Sequence, residues 1–453
     1  MDFNRRDFLR NSAMAGLGLT FAGAAFSRYS NPQRLTEIAS IPAPFRKYDK
    51  VRIAFVGVGG MGTAHVNNFV RIPGVEVVAI CDIREDHAIR SQKICEDAGL
   101  GKPELYTRGE EDFKRLCQRE DIDLVFTATP WRWHVPVCLE AMKTGKHAAT
   151  EVPAALTLEE CWDLVETSET TGLHCIQMEN CNYDRAEMMI LNMVKKGLLG
   201  EPVHARCGYL HDLRAVKYDM NGEGLWRRAY STEYNGDLYP THGLGPVAQC
   251  FDINRGNQFD YLVSFASKSR GLHEYAVERF GEDSPEAREV FVLGDVVSTL
   301  IRTVNGETIL VTHDTSLPRP YSRDILVQGT HGLVRKYPEE LIHIEGRSPA
   351  HSWENLENYK EEFYHPLWQQ LEGKSKGAGH GGMDFLEDYR LINAMLNGRP
   401  PDMDVYDAAA LSAVTELSQR SIAEKGMPQA FPDFTRGMWM KERELEVMKI
   451  EDR

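Results

Sequence analysis

Between residues 51 and 200, short apolar runs alternate with segments whose apolar positions recur at helical spacing. Five apolar runs predict strands with the loops that follow them, at 51–56, 75–81, 123–130, 145–153 and 173–179. Three amphipathic segments predict helices, at 135–144, 158–170 and 185–196. Strands that alternate with helices are typical of α/β proteins, so this half of the chain predicts a doubly wound parallel sheet with crossover helices.

After residue 203 the pattern changes to short runs that favour an antiparallel sheet, with a hairpin turn at Asn305-Gly306. The predicted strands lie at 203–210, 261–267, 290–304, 308–314, 325–328 and 333–336. The predicted helices lie at 243–254, 385–396 and 405–424, and residues 211–240 are predicted to form a long polar loop. We therefore expect a second, α+β domain over residues 181–453, whose C-terminal helices are placed to pack back on the first domain.

The turn after the first strand reads Gly-Val-Gly-Gly-Met-Gly at residues 57–62. In a dinucleotide site, Gly57 makes the tight turn, Gly59 lets the backbone approach a pyrophosphate, and Gly62 lets the helix pack on the strand. Asp82 ends the second strand, where an acidic residue binds a ribose hydroxyl and disfavours the 2′-phosphate of NADP. Residues 49–180 are thus predicted to be an NAD-binding Rossmann domain. An ordinary glycine turn is the alternative, and Arg84 leaves NADP open.

Charge and cysteine usage exclude several classes of function. The 453 residues carry a formal net charge of -15, which repels nucleic acid and anionic membranes, so a small neutral ligand is the better partner. The nine cysteines form no C-x-x-C pair, and the histidines show no H-E-x-x-H spacing. We therefore predict no metal site and no disulfide framework.

The N-terminus has the features of an export signal. Arg5 and Arg6 precede a mildly apolar, glycine-rich stretch that ends in small residues at Ala24 and Ala25. This is typical of a twin-arginine signal peptide, and a cytoplasmic amphipathic N-terminus is the alternative. The stretch is too short and too weakly apolar for a membrane span. We predict a signal peptide at 1–30, a linker at 31–48, export by the twin-arginine machinery, and a periplasmic or secreted mature form.

Export and a dinucleotide site constrain each other. A cofactor can be loaded in the cytoplasm before export, but we expect no pool of free NAD outside it. Each turnover should therefore leave the cofactor as it began, which disfavours a simple dehydrogenase.

The Glu-Val-Pro sequence at 151–153, together with the glycine turn, resembles the Gfo/Idh/MocA oxidoreductase superfamily. That superfamily joins a Rossmann domain to a domain with an open antiparallel sheet, and its Glu-Lys-Pro motif carries a catalytic Lys. Val152 replaces that Lys here, so the resemblance does not extend to the usual dehydrogenase mechanism. By analogy with the superfamily, the sheet face implies a homodimer.

Over nearly the whole mature chain, the sequence is similar to the NAD-dependent α-N-acetylgalactosaminidases of glycoside hydrolase family 109. The motifs that carry the similarity are Trp-Arg-Trp-His at 131–134, Glu-Val-Pro at 151–153, Met-Glu-Asn at 178–180, Gly-Tyr-Leu-His-Asp-Leu-Arg at 208–214, Tyr-Pro-Thr-His at 239–242 and Gly-His-Gly-Gly-Met-Asp at 379–384. It implies hydrolysis of terminal α-linked N-acetylgalactosamine with retention of configuration. The implied route is oxidation at C3 by tightly bound NAD, removal of the C2 proton, elimination of the aglycone, addition of water and return of the hydride.

The resemblance also implies roles for single residues. The implied cofactor contacts are Gly57, Gly59, Gly60, Met61, Gly62, Asp82, Trp131, Arg132, Trp133, His134, Glu151, Val152 and Asn180. The implied sugar-binding residues are Tyr209, Arg228, Tyr239, Pro240, Thr241, His242 and Tyr321. His242 is the implied acid/base at the C3 hydroxyl, and Tyr183 and Tyr239 are candidates for the C2 base or the leaving-group acid.

Each of these assignments has a plainer alternative. Trp131 and Trp133 could be core aromatics, and Tyr183 and Tyr239 could only pack or bind sugar. His242 could be structural, and Arg228 could pair with a surface acid. An exported sugar oxidoreductase that recycles its own NAD(P) is the alternative function, and a sugar sensor that kept the fold is a third.

Overall fold

The structure, a computed structural model, describes residues 43–449. The predicted signal peptide and residues 31–42 of the predicted linker lie outside this range. The remaining linker residues pack on the protein, because Phe45 and Tyr48 are buried and their backbone N–H groups donate to the carbonyls of Arg399 and Met395. Within residues 43–449, the structure contains no helix with the length and apolar character that a membrane span needs.

A six-stranded parallel sheet forms the centre of the first domain, as predicted. Its strands are β1 (Val51–Val56), β2 (Val75–Cys81), β3 (Glu104–Tyr106), β4 (Leu124–Thr127), β5 (His147–Thr150) and β6 (Cys175–Gln177). Their spatial order is β3-β2-β1-β4-β5-β6. The winding therefore reverses between β1 and β4, and ligands of such sheets bind beyond the carboxyl ends of the strands at that reversal.

Helices separate the strands of this sheet and bury their apolar faces on it. They are α1 (Gly60–Phe69), α2 (Glu85–Asp97), α3 (Asp112–Cys117), α4 (His134–Lys143) and α5 (Leu158–Thr171). Helix α5 begins with a capping box, in which Thr157 and Glu160 each accept a backbone N–H of the other. The elements α2, β3 and α3 were not predicted from the sequence; β3 and α3 carry too few apolar positions to be found by periodicity.

A nine-stranded sheet forms the centre of the second domain. Its strands are β7 (Pro202–Leu210), β8 (Phe259–Ala266), β9 (Val297–Thr303), β10 (Thr308–Asp314), β11 (Leu326–Gly329), β12 (Gly332–Arg335), β13 (Leu341–Ile344), β14 (Glu354–Asn355) and β15 (Gln429–Ala430). Their order is β14-β13-β12-β11-β7-β10-β9-β8-β15. The pairs are antiparallel except that β7 and β10 run parallel, so the sheet is mixed although mostly antiparallel.

Helices of the second domain pack on this sheet and reach back to the first domain. They are α6 (Arg185–Lys195), α7 (Arg214–Lys217), α8 (Gly224–Glu233), α9 (Thr241–Cys250), α10 (Gly271–Phe280), α11 (Lys360–Phe363), α12 (Pro366–Ser375), α13 (Met383–Asn397) and α14 (Val405–Ala423). Helix α13 lies against α1, and α14 lies against both α5 and β8.

Two sequence predictions in this half were wrong in their bounds. The strand predicted at 290–304 begins only at Val297, because residues 290–296 form a loop in which Val290 and Val292 are exposed. The polar loop predicted at 211–240 contains α7 and α8. Helix α8 is held by aromatic contacts with the first domain, which local periodicity does not report.

Candidate functional site

The glycine turn between β1 and α1 contains glycines at which a Cβ would clash and glycines at which it would meet open space. Gly57 has φ +80, and a Cβ there would lie 2.9 Å from the Ala128 carbonyl. A Cβ at Gly62 would lie 2.0 Å from the Gly57 oxygen. A Cβ at Gly59 or Gly60 would meet nothing within 4 Å. Gly57 and Gly62 are therefore required by the fold, whereas Gly59 and Gly60 leave the N-terminus of α1 open to an anionic ligand.

Asp82 is bound to this turn. Its Oδ2 accepts the N–H of Val58 at 2.8 Å, and its Oδ1 accepts the N–H of Arg84 at 2.8 Å. The Arg84 side chain points elsewhere and pairs with Asp86 at 3.0 Å. The carboxylate thus lies at the end of β2 beside the glycine turn, the place at which a ribose contact is predicted.

The segment after β4 divides its four residues between different environments. Trp131 is buried among aromatic residues of the second domain, whereas the Trp133 ring meets Phe113 at 5.9 Å beside the core of the first domain. Arg132 is exposed and pairs with Glu110. His134 has its ring nitrogens 2.8 Å from the carbonyl oxygens of Thr129 and Pro153. Burial lowers the pKa of His134, and the ring joins the loops that follow β4 and β5.

Glu151 and Val152 lie beyond the carboxyl end of β5 and face different surroundings. Val152 is buried in the same apolar cluster as Trp131. Glu151 Oε1 lies 2.8 Å from Nε2 of His65, whose Nδ1 lies 2.8 Å from Oδ1 of Asp388 on α13. Burial opposes a charge on His65, but the two carboxylates outweigh it and raise its pKa well above the usual value. His65, held by Asp388, therefore positions the Glu151 carboxylate.

His242 pairs with Glu179 of the Met-Glu-Asn motif, a residue for which no role was predicted. Its Nδ1 lies 2.7 Å from Oε1 of Glu179, which is completely buried at the end of β6. Burial raises the pKa of Glu179, but His242 and hydrogen bonds to the carboxylate outweigh it, so the pKa is lowered. The His242 side chain is 14% exposed, and no group in residues 43–449 bonds to its Nε2. The pair is arranged for proton transfer at Nε2.

Aromatic rings form a wall beside His242. The Tyr239 ring stands perpendicular to His242 at 4.8 Å and stacks on Trp131 at 5.6 Å. Tyr209 lies 4.6 Å from Tyr239 and 5.5 Å from His242. Burial raises the pKa of Tyr239 well above 10, while the nearby charge of Arg227 acts against burial. The wall offers an apolar face of the kind that sugar rings prefer.

Two neighbouring arginines on α8 contact different surroundings. Arg227 lies 5.0 Å from the Trp131 ring and 5.5 Å from the Tyr239 ring. Arg228, the residue selected from sequence, pairs with Glu289 at 3.1 Å and lies 4.9 Å from the Tyr218 ring. Arg227 is therefore the arginine at the aromatic wall, and helical geometry alone could not distinguish the two.

The remaining predicted residues also separate. The Tyr183 hydroxyl donates to Oδ2 of Asp402 at 2.9 Å, and Asp402 is bound by Arg390. Asn180 donates to Oδ1 of Asp384 at 2.7 Å. Tyr183 is thus committed to a buried ion pair, outside the ring contacts that surround His242.

The sugar-binding candidates on other elements lie around the wall. Pro240 and the buried Thr241 form the start of α9, before His242. Tyr321 is partly exposed and accepts a hydrogen bond from Arg323 at 3.1 Å. Its ring lies 5.0 Å from that of His211.

Among the predicted cofactor contacts, Met61 lies in the first turn of α1.

Two groups of residues bring three metal-type ligand atoms within 4.8 Å of one another. They are Glu179, Cys181 and His242, and His65, Glu387 and Asp388. In each group the His already lies 2.7–2.8 Å from a carboxylate. These hydrogen bonds account for the short separations.

Comparison with known proteins agrees with this architecture. Residues 183–441 match the family described as Glycosyl hydrolase 109, C-terminal domain, and residues 51–178 match the Oxidoreductase family, NAD-binding Rossmann fold. A glycosyl hydrolase family 109 protein of Solibacter usitatus is 46% identical over 439 residues, which cover 96% of this chain and 98% of that protein. A protein of Tannerella forsythia named alpha-N-acetylgalactosaminidase is 42% identical over 97% of this chain and 98% of its own length.

Among solved structures, a levoglucosan dehydrogenase in complex with NADH and levoglucosan superimposes with a TM-score of 0.66. It is 19% identical, covering 85% of this chain and 100% of its own, so it shares the fold alone. The family matches and the 46% identical relative decide the classification. The chain belongs to glycosyl hydrolase family 109 and joins that family's C-terminal domain to an NAD-binding Rossmann domain of the Gfo/Idh/MocA type.

Proposed function

We propose that the protein hydrolyses terminal α-linked N-acetylgalactosamine, with net retention of configuration, using NAD that stays bound and is restored in each turnover. The relative named alpha-N-acetylgalactosaminidase supports the substrate. The observation that carries the chemistry is the pair of His242 and the buried Glu179, 2.7 Å apart beside the aromatic wall. It provides an oriented proton acceptor where the sugar would bind.

The residues at the glycine turn fit a dinucleotide. Gly59 and Gly60 leave the N-terminus of α1 open to a pyrophosphate, and Asp82 stands where the ribose would lie. Bound NAD would supply a hydride acceptor at sugar C3, a positive charge while oxidised, and the hydride that is finally returned.

His242 would remove the C3 hydroxyl proton at Nε2. Glu179 fixes the ring orientation through Nδ1 and stabilises the imidazolium that forms, in the way a carboxylate supports a catalytic His. Val152 is apolar and buried at the position where the superfamily motif has Lys, so the proton must be handled by His242.

The C3 ketone acidifies the C2 proton, and Tyr239 is the better of the two tyrosine candidates to accept it. Tyr183 donates its hydroxyl to Asp402, whereas Tyr239 lies at the wall beside His242. A phenol needs nearby positive charge to act as a base. Burial raises the pKa of Tyr239, and Arg227, 5.5 Å from its ring, is the charge that opposes this effect. Tyr209 and Tyr321 then contact the sugar.

Proton NMR in deuterated water tests this function, with the purified protein, a simple α-N-acetylgalactosaminide and no added cofactor. We expect release of N-acetylgalactosamine that carries deuterium at C2. Cleavage without deuterium would keep the hydrolase but point to a direct displacement or to a shielded base that returns the same proton. Absence of cleavage, combined with a lasting change in bound cofactor absorbance after a single sugar is added, would favour the sugar oxidoreductase.

We also propose that the protein is exported by the twin-arginine route and forms a homodimer. The outer face of the nine-stranded sheet supports the dimer, because Phe265 is 62% exposed and Leu300 on the neighbouring strand is also exposed. Light scattering on the wild type and on Phe265→Glu tests the dimer, with a monomeric wild type as the contrary result.

Fractionation of cells that express the full chain, with Arg5 and Arg6 replaced by Lys as the comparison, tests the export route.

A further inference from the structure

A buried network of four charged side chains lies behind Tyr321, one of the predicted sugar-binding residues. Its two cations are Arg323, between β10 and β11, and Lys336, which follows β12. Its two carboxylates are Asp184, the N-cap of α6, and Glu187 in the first turn of that helix. Arg323 and Glu187 are each only 2% exposed. Charges this far from water are held in a fold when they are paired and hydrogen-bonded, as these are.

The network fixes the Arg323 guanidinium along one edge. Its Nε and Nη2 donate to Oε1 of Glu187 at 3.0 and 2.8 Å, and Nη2 also donates to Oδ2 of Asp184 at 2.8 Å. Lys336 holds the two carboxylates in turn, because its Nζ lies 2.7 Å from Oε2 of Glu187 and 2.6 Å from Oδ2 of Asp184. A planar guanidinium that is held at two nitrogens presents its third nitrogen in a fixed direction.

That third nitrogen, Nη1, donates to the hydroxyl oxygen of Tyr321 at 3.1 Å. Arginine has no acceptor, so this hydrogen bond runs in one direction only. Burial raises the pKa of Tyr321, and the charge of Arg323 acts against burial without reversing it, so the hydroxyl keeps its proton at neutral pH. No group in residues 43–449 accepts that proton. Tyr321 therefore has an oriented donor that is left for a ligand.

The Tyr321 donor lies beside the aromatic wall. Ser322 pairs with Leu210 at the end of β7 through two backbone hydrogen bonds of 2.8 and 3.0 Å. This bridge places the Tyr321 ring 6.2 Å from that of Tyr209, which lies 5.5 Å from His242. Tyr321 is 39% exposed, so a bound sugar can reach its hydroxyl.

N-acetylgalactosamine differs from galactose by the acetamido group at C2. The carbonyl oxygen of that group only accepts hydrogen bonds, so it matches a side chain that can only donate. We propose that Arg323 is a positioning residue that holds Tyr321 as the hydrogen-bond donor to the acetamido carbonyl, and thereby selects N-acetylgalactosamine over galactose; this inference rests on the proposed function.

Calorimetric titration with N-acetylgalactosamine and with galactose tests this inference without catalysis. For each protein, the ratio of the two dissociation constants cancels effects that are common to both sugars. The variants are Tyr321→Phe, which keeps the ring and the four buried charges, Arg323→Lys, which keeps the positive charge but has one nitrogen only, and the protein with both changes. The matched control is Arg255→Lys, because Arg255 is also buried and pairs with Asp407 of α14 through two hydrogen bonds of 2.7 and 2.6 Å.

A neutral hydrogen bond is worth about 2- to 10-fold in an equilibrium constant. We expect Tyr321→Phe to lower the preference for N-acetylgalactosamine by that factor, while the Kd for galactose stays within about twofold of the wild-type value. Arg323→Lys should lower the preference in the same way. The protein with both changes should lose no more than Tyr321→Phe, because Arg323 acts through that hydroxyl. Arg255→Lys should keep the wild-type ratio.

Three results would overturn the donor role of Tyr321: a wild type that does not prefer N-acetylgalactosamine, an unchanged ratio in Tyr321→Phe, or equal weakening of both sugars in that variant. Additive losses in the protein with both changes would overturn the positioning role of Arg323. If Arg323→Lys does not fold, Glu187→Gln replaces it, since it loosens the guanidinium without removing it. Glu187→Gln should then lower the ratio when Tyr321 is present and leave it unchanged in Tyr321→Phe.

Failure of the proposed function is a separate result. A wild type that binds N-acetylgalactosamine with the expected preference, but cleaves no α-N-acetylgalactosaminide, refutes the hydrolase and leaves the roles of Arg323 and Tyr321 in place.

Discussion

Replacing His65 by Gln tests whether the buried imidazolium between Asp388 and Glu151 stabilises the protein. In the wild type, both oxygens of Asp388 lie 2.8 and 3.0 Å from His65 Nδ1, and Glu151 lies 2.8 Å from Nε2. Gln has no positive charge and can donate to one carboxylate only, which leaves Asp388 with Asn68 as its remaining partner. Removing one member of a buried ion pair costs about 3–5 kcal/mol, so we expect that loss in the free energy of unfolding.

The loss should depend on pH in a defined direction. The folded pKa of His65 is raised above its unfolded value of about 6.5. The stabilisation is therefore complete below about pH 6.5 and disappears as the pH rises through the folded pKa. Urea unfolding of the wild type and His65→Gln at about pH 6 and about pH 9 measures the difference at both ends of this range.

His204→Gln is the control, because the half-buried His204 side chain bonds, within residues 43–449, only to the hydroxyl of Thr308. The loss in the free energy of unfolding for His204→Gln should stay below about 1.5 kcal/mol. A deficit for His65→Gln below about 1 kcal/mol, or one that grows between the lower and the higher pH, would refute a charged His65.

Three further predictions concern the site. Glu179→Gln keeps the shape of the side chain but removes the charge that supports His242. Because a charge-assisted hydrogen bond is worth about 1.5–3 kcal/mol, steady-state kinetics should show kcat lowered about 10- to 100-fold and KM little changed. Gly59→Ala should leave the melting temperature unchanged but weaken the binding of NAD, as measured by calorimetric titration. Gly57→Ala should lower the melting temperature. Arg227→Met should reduce kcat/KM at least about tenfold because it removes the cation beside Tyr239, whereas Arg228→Met should change it less than about twofold.

The controls for these variants come from the same chain. Glu166→Gln, at an exposed carboxylate, accompanies Glu179→Gln, and equal kcat values for the two variants would contradict a supporting role for Glu179. Unchanged NAD affinity in Gly59→Ala would show that no pyrophosphate lies over that turn. A larger loss for Arg228→Met than for Arg227→Met would reverse the assignment of the two arginines.

Local patterns were sufficient for much of the first domain. The second strand was predicted at 75–81 and found as Val75–Cys81, because a strand buried on both faces is a continuous apolar run. The family and the two-part fold were also predicted from short motifs, and the comparisons confirm both. The roles of single residues in catalysis stay predictions.

Periodicity was less informative in the second domain. It missed β13, β14 and β15, the helices within 211–240 and the helices α10, α11 and α12, and it could not show that β7 and β10 pair in parallel. A strand's partner is set by contacts far along the chain, and those contacts leave no trace in a local pattern.

By itself, the sequence determined the glycine turn, the acidic end of β2 and the motifs that identify the family, because each depends on a few neighbouring residues. Only the tertiary structure decided that Glu179 supports His242, that Arg227 rather than Arg228 faces the aromatic wall, and that Tyr183 is committed to Asp402. These partners lie tens to hundreds of residues apart, or differ by a rotation of one position on a helix. Folding sets such distances and directions, and linear spacing does not encode them.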